Sequence, residues 1–265
     1  MKILGLDISS SNTGWSIVEV DNSNNKLVDY GIISPVGNMG VTQRLYFFGN
    51  ELKKVVDKCS PDEIAIEETI LVHGPKTMRV LARFSGVALF LAYSFQKREI
   101  STYEPPAWKK NLGLRGNAKK AEVQLAICKE FGLIEQKKID EYQSILTKIV
   151  EDENQIRKTL SKDSKSSSKE TVNLEKTYKE AKKKIKAKKK KEITEEDTKN
   201  FENLEIQLNQ QKEEEKIKIK QAKEALKDID KRYEKVSIDI YSDCGISPDI
   251  ADSIGVSLCA LSKLK

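Results

Sequence analysis

Lys2-Ile3-Leu4-Gly5-Leu6-Asp7-Ile8-Ser9-Ser10-Ser11-Asn12-Thr13-Gly14 is the stretch on which the reading of this chain turns. Ile3 to Ile8 is apolar and β-branched, the pattern of a short buried strand. Asp7 stands inside it. A carboxylate in a central strand is costly unless it is paired or binds a cation. A small polar turn, Ser9 to Thr13 and then Gly14, leads into a second strand, Trp15 to Val20. The plain alternative is an Asp that caps its own turn. The functional reading requires other acids to converge on Asp7.

Working outward, the turn cluster Asn22 to Asn25 precedes a third strand, Leu27 to Ser34, which completes an antiparallel meander. Helical spacing runs from Val41 to Lys58 (Leu45, Phe48, Leu52, Val55, Val56). Asp62 to Thr69 reads as a buried strand beside the first. Glu67 and Glu68 end it. Alternation lets only one of them share the face of Asp7; Glu67 is taken, a choice that rests partly on the resemblance given below. His73, the single histidine, falls in a loop. The helix Thr77 to Arg98 is apolar nearly all round in its centre, Gly86 to Ala92, and is expected to be buried against the sheet. Arg79 and Arg83 lie near its start and face either phosphates or solvent. Glu99 to Glu104 is a fifth, short strand, ended by Pro105 and Pro106. Trp108, Lys109 and Lys110 open a short helix. Beyond the Gly113 to Gly116 loop, Asn117 is placed to cap a helix from Ala118 to Phe131. Lys119 and Lys120 in its first turn oppose the helix dipole and suit either an anionic partner or an ordinary solvated surface.

Of 265 residues, 38% are hydrophobic and 33% charged, which reads as a soluble, highly charged protein. No apolar run approaches the roughly 20 residues of a bilayer span, and Met1 leads straight into a strand without a signal peptide. Cys59, Cys128, Cys244 and Cys259 show no CxxC pairing and read as reduced thiols in a cytoplasmic compartment. The charge is uneven. Residues 136–236 carry 28 Lys and Arg against 22 Asp and Glu, which accounts for the whole net charge of +6. A core, 1–135 and 237–265, is thus interrupted by a polar insertion, 136–236.

Within the insertion, Ile139, Tyr142, Leu146, Ile149, Glu153, Ile156 and Leu160 recur at spacings of three and four, as do Ala222, Leu226, Ile229, Tyr233 and Val236. That is a narrow coiled-coil seam. Two antiparallel legs, roughly 136–191 and 195–236, return the chain to the core, with the tip near Glu192. Ser161 to Ser168 is a candidate break. The lysine run Lys182 to Lys191, including Lys188, Lys189 and Lys190, puts positive charge near the tip, suited either to a phosphate backbone or to a solvated helix face. Ser237 to Tyr241 reads as a short extended piece. Ser247 then caps a last helix with Pro248 at its first position. Asp249 and Asp252, three apart, share one face.

Asp7, Glu67, Asp249 and Asp252 thus come from two neighbouring strands and a terminal helix. Their mutual repulsion calls for hard cations. Oxygen-only donors suit Mg²⁺, with Mn²⁺ as a substitute, and two such ions in one site can activate water against a phosphodiester.

The motifs Leu4-Gly5-Leu6-Asp7 with Thr13-Gly14, Ala65-Ile66-Glu67, Gly116-Asn117-Ala118-Lys119-Lys120 and Asp249-Ile250-Ala251-Asp252 resemble, in order, those of the RuvC family of Holliday-junction resolvases within the RNase H-like superfamily. The resemblance covers about residues 1–134 and 237–263. It implies an α/β fold, an RNase H-like mixed five-stranded sheet flanked by helices, here with an inserted antiparallel helical hairpin. It implies that Asp7, Glu67, Asp249 and Asp252 hold two metal ions. Lys120, and with it Lys109, match basic residues near the scissile phosphate. Lys119, Arg79, Arg83, Lys188, Lys189 and Lys190 are further DNA-binding candidates. The family works as a homodimer that nicks two strands of a four-way junction symmetrically; the Thr77 to Arg98 helix is the expected dimer face by analogy. Three departures stand out. Glu68 replaces a glutamine, Ile70 replaces a stacking aromatic, and no histidine follows Asp252 closely. The insertion is foreign to the bacterial enzymes and fits a phage- or mobile-element branch.

The expected activity is therefore metal-dependent resolution of branched DNA, with no membrane and with the hairpin meeting DNA arms or a protein partner. Rival readings are a flap, replication-intermediate or RNA-guided nuclease on the same fold, a DNA-binding scaffold worked by the hairpin, and a sugar-kinase-like ATPase.

Overall fold

A computed structural model of the chain describes residues 1–21, 24–35, 37–69, 74–97, 99–187 and 194–264. His73, Ile70, Lys188, Lys189, Lys190 and the tip near Glu192 lie outside the described residues.

Five strands form one sheet in the order β3-β2-β1-β4-β5: β1 (Lys2–Asp7), β2 (Thr13–Asp21), β3 (Asn24–Ile33), β4 (Glu63–Glu67) and β5 (Ser101–Tyr103). β1, β2 and β3 are antiparallel neighbours, whereas β4 runs parallel to β1 and β5 parallel to β4. Strict alternation divides the core. Leu4, Leu6, Ile17, Ile64 and Ile66 pack toward α1 (Val41–Cys59) and α2 (Pro75–Gln96), with Phe48, Leu52, Phe84 and Ala88. Ile3, Val18 and Ala65 pack on the other side with Trp108, Val123, Ile127 and Ile254. That side is covered by α3 (Pro105–Asn111), α4 (Lys120–Glu130) and α7 (Pro248–Leu264). By the same period of two, Asp7 and Glu67 project to the α7 side.

α7 lies directly on strand backbone. A Cβ on Gly5 would sit 2.1 Å from Ser253 O and 2.2 Å from Ser257 Oγ; one on Gly14 would sit 2.1 Å from Asp249 O. Both positions therefore require glycine for the last helix to come this close. Ser247 Oγ accepts the Ile250 N–H at 3.3 Å, capping α7 ahead of Pro248.

Some expectations fail. Asn117 sits in a turn, and α4 starts at Lys120 because Glu122 Oε2 accepts the Lys119 N–H at 2.8 Å, a stronger cap than an amide. Pro105 opens α3 instead of merely ending the strand. α2 is not buried all round: only Phe84, Ala88 and Ala92 are sealed, and by length and composition it is the one described helix apolar enough to cross a membrane. Ser237 to Tyr241 is helical, since α6 (Glu195–Cys244) keeps Val236 and Ile240 buried one turn apart. α5 (Gln136–Ala187) passes through Ser161 to Ser168 as helix.

The chain divides into two compact units, Met1–Leu146 with Tyr233–Lys265, and Thr147–Arg232. In the second, α5 and α6 run antiparallel. Tyr178 stacks on Phe201 with ring centroids 4.9 Å apart, and Lys212 pairs with Glu175 at 2.7 Å.

Candidate active site

Four acids from three elements meet at the carboxyl ends of β1 and β4. The pairing of Leu6 with Ile66 sets Asp7 beside Glu67 on parallel strands. Asp7 pairs across β2 with Gly14, the residue that lets the start of α7 approach. That approach delivers Asp249 and Asp252. Each acid is half-buried, while Glu68 points away and is exposed.

The electrostatics follow from crowding. Burial first, then repulsion by Glu67, Asp252 and Asp249, drives the Asp7 carboxyl well above the carboxylate range. Burial and then Asp252 push Glu67 up to about 8, against Lys109, Trp108 and Lys120. Burial lifts Asp252 to about 6, opposed by Lys109 and Lys120. Trp108, itself fully buried, donates its indole N–H to Glu67 Oε2 at 3.2 Å. The role of that tryptophan was not readable from the sequence. The one hint is Gly255, whose missing side chain leaves room for the indole, 2.7 Å from an added Cβ.

Two basic residues serve the acids. Lys120 Nζ donates to Asp249 Oδ1 at 3.1 Å. Lys109 acts on Glu67 and Asp252 through charge, while its ammonium donates to Ala118 O at 3.0 Å. Lys119 turns instead to the Tyr233 ring, 5.7 Å away. Arg79 and Arg83 stand exposed on α2, apart from this group of charges.

The donor set is oxygen-only, which fits a hard cation such as Mg²⁺. Asp252 Oδ1 is sealed from solvent and, among the described residues, has no hydrogen-bond partner. A buried, unpaired carboxylate oxygen amid three other acids is the feature a cation would satisfy. Among the described residues no three ligating side chains are gathered tightly enough to hold an ion as they stand.

A mixed sheet of this order, covered by helices on both faces, is an RNase H-like fold. The chain belongs to the RuvC family: the family profile "Crossover junction endodeoxyribonuclease RuvC" matches residues 3–147. The protein of that name from Wolbachia sp. subsp. Drosophila simulans is 34% identical over 124 residues, covering 46% of this chain and 76% of the relative. The one from Prochlorococcus marinus is 29% identical over 141 residues, covering 53% and 88%. The structure of Thermus thermophilus RuvC in complex with Holliday junction substrate aligns at a TM-score of 0.46 and 21% identity, covering 51% of this chain and 82% of that one. The family match ends at residue 147. It takes in Asp7, Glu67 and Lys120 and stops short of Asp249 and Asp252, so the place of those two acids rests on the motif likeness and on the fold that brings them beside Asp7.

Proposed function

We propose that the chain is a metal-dependent, structure-specific endodeoxyribonuclease that resolves four-way DNA junctions by symmetric phosphodiester hydrolysis, acting as a homodimer. The observation that carries this is the convergence of Asp7, Glu67, Asp249 and Asp252 on one face of a RuvC-family sheet, with Asp252 Oδ1 unpaired. These four residues would hold two Mg²⁺ ions, or Mn²⁺ in their place. The ions would supply the Lewis acidity that activates water and offsets charge on the leaving oxygen.

The chain's own groups do the rest. The β1 and β4 ends hold Asp7 and Glu67 at fixed positions, and the Trp108 indole orients Glu67. Lys120, bonded to Asp249, would donate to a phosphate oxygen of the substrate. Its charged form is kept, against the burial that opposes it, by Asp249, Asp252 and Asp7. Lys109 supports the same charge balance.

The test is cleavage of a labelled four-way junction in Mg²⁺ beside linear duplex, flap and EDTA controls. Paired symmetric nicks in the junction alone are expected. Preferential flap cutting would reassign the substrate, and no cutting in either Mg²⁺ or Mn²⁺ would remove the activity. Asp7→Asn should reduce cleavage at least about 100-fold while sparing junction binding.

A further inference from the structure

α4 faces the corner between α6 and α7 with three residues spaced one turn apart. Lys120 reaches Asp249. Gln124 donates to Ile246 O at 2.9 Å and accepts from Ser237 Oγ. Cys128, fully buried, is a neighbour of Cys244, the last residue of α6. Cys244 Sγ also accepts the Ile246 N–H at 3.4 Å. The thiol pair thus sits at the root of the insertion, between α4, the last core helix before it, and the end of α6, on which the chain returns. Cys128 is sealed, whereas Cys244 remains partly open to solvent.

We propose that Cys128 and Cys244 form a modification site for hydroperoxides, oxidised to an intramolecular disulfide that ties α4 to the last turn of α6. The open thiol reacts first and the sealed one resolves it. Cys244 sulfur attacks one oxygen of hydrogen peroxide. The O–O bond breaks, an S–O bond forms, and the departing hydroxide takes up a proton. Cys128 sulfur then attacks the Cys244 sulfur. Its proton and the sulfenic hydroxyl leave as water, and an S–S bond replaces the S–O bond. Two electrons and two protons pass from the thiols to the peroxide, which becomes two waters.

Exposure and the backbone support this division. The Ile246 N–H points at Cys244 Sγ and favours its thiolate, whereas burial disfavours the charged form of Cys128. Burial raises the Cys59 and Cys259 thiols as well. The disulfide would close a loop containing the whole insertion, and would fasten the segment that leads into Asp249.

The readouts need no nuclease activity, so this inference stands or falls separately from the proposed function. The full reduced chain is treated with hydrogen peroxide at neutral pH, capped with a maleimide, and mapped by peptide mass spectrometry with a thermal melt alongside. The expected result is loss of two hydrogens, two of the four thiols protected from the maleimide, and a cross-linked peptide joining Cys128 to Cys244. The melting temperature should rise by about 5 °C or more. Cys128→Ser should stop at a Cys244 sulfenic acid that dimedone traps, and Cys59→Ser should oxidise as the unmodified chain does. Earlier loss of Cys59, a disulfide between two chains, or a Cys244 sulfinic acid with no bond to Cys128 would overturn the proposal. The map of the unmodified chain decides the matter even where a variant fails to fold.

Discussion

Trp108 joins core and site. Its ring is fully buried on the α7 side, and its indole N–H is bonded to Glu67. Trp108→Phe should cost about 1–3 kcal/mol through lost volume and the unmade bond. If the bond orients Glu67, the Mg²⁺ concentration for half-maximal junction cleavage should also rise several-fold. A loss of melting temperature with an unchanged Mg²⁺ requirement would reduce Trp108 to packing. The acids carry a pH prediction. Glu67, held up at about 8, Asp252 at about 6 and Asp7, also raised, bind more protons folded than unfolded. Stability from this source is complete below the ordinary carboxylate range, near pH 4, and is lost as pH rises through about 6 to about 8. Melts in EDTA should therefore fall in temperature from pH 5 to pH 8, and Mg²⁺ should restore most of the loss at pH 8. A melting temperature that rises with pH in EDTA would show that the acids are not crowded.

Helix α2 shows how one element can be half explained by the core. Its sequence is apolar nearly all round, but the core seals only Phe84, Ala88 and Ala92 and covers Val80, Val87 and Leu91 in part. Phe90 remains 71% exposed and Tyr93 54%. Burying either ring is worth about 1.5–3 kcal/mol, so the uncovered stripe is the natural dimer face for the proposed homodimer. Phe90→Lys with Tyr93→Lys should convert a dimer to a monomer in sedimentation velocity, leaving the melting temperature of each protomer nearly unchanged. A monomeric parent chain, or a variant that stays dimeric, would move the interface elsewhere.

At the scale of the molecule, the insertion is a second unit carrying the whole net charge, while the acids belong to the first. Replacing 147–232 by a short Gly/Ser linker between Leu146 and Tyr233 should leave a folded, junction-cutting core. Junction affinity should lose much of its salt dependence if the hairpin lysines contact phosphates. An unfolded core in circular dichroism would show that the insertion is structural. A folded core with an unchanged salt slope would assign the hairpin to a protein partner.

The amino-acid sequence by itself determined the strand pattern through local signals: alternation with period two, helical spacings of three and four, and turn residues between them. The first strand, the helix from Val41 and the Ser247-Pro248 start of the last helix were all legible this way. The four acids were singled out with the help of the family resemblance, because alternation alone only limits Glu67 and Glu68 to one of two. Where several local preferences compete, the reading failed. Asn117 and Glu122 both offered a cap, and the charged Glu122 won. Ser237 to Tyr241 looked extended until Val236, Ile240 and the Ser237–Gln124 bond held it helical. The resemblance led one to expect Asp249 and Asp252 beside Asp7 and Glu67, but only tertiary structure shows how they get there, because more than 180 residues separate them from Glu67 in the chain. The contact depends on Gly5 and Gly14 letting α7 rest on bare strand backbone. The indole over Glu67 and the thiol pair at the hairpin root are products of the same long-range packing, which periodicity along the chain does not encode.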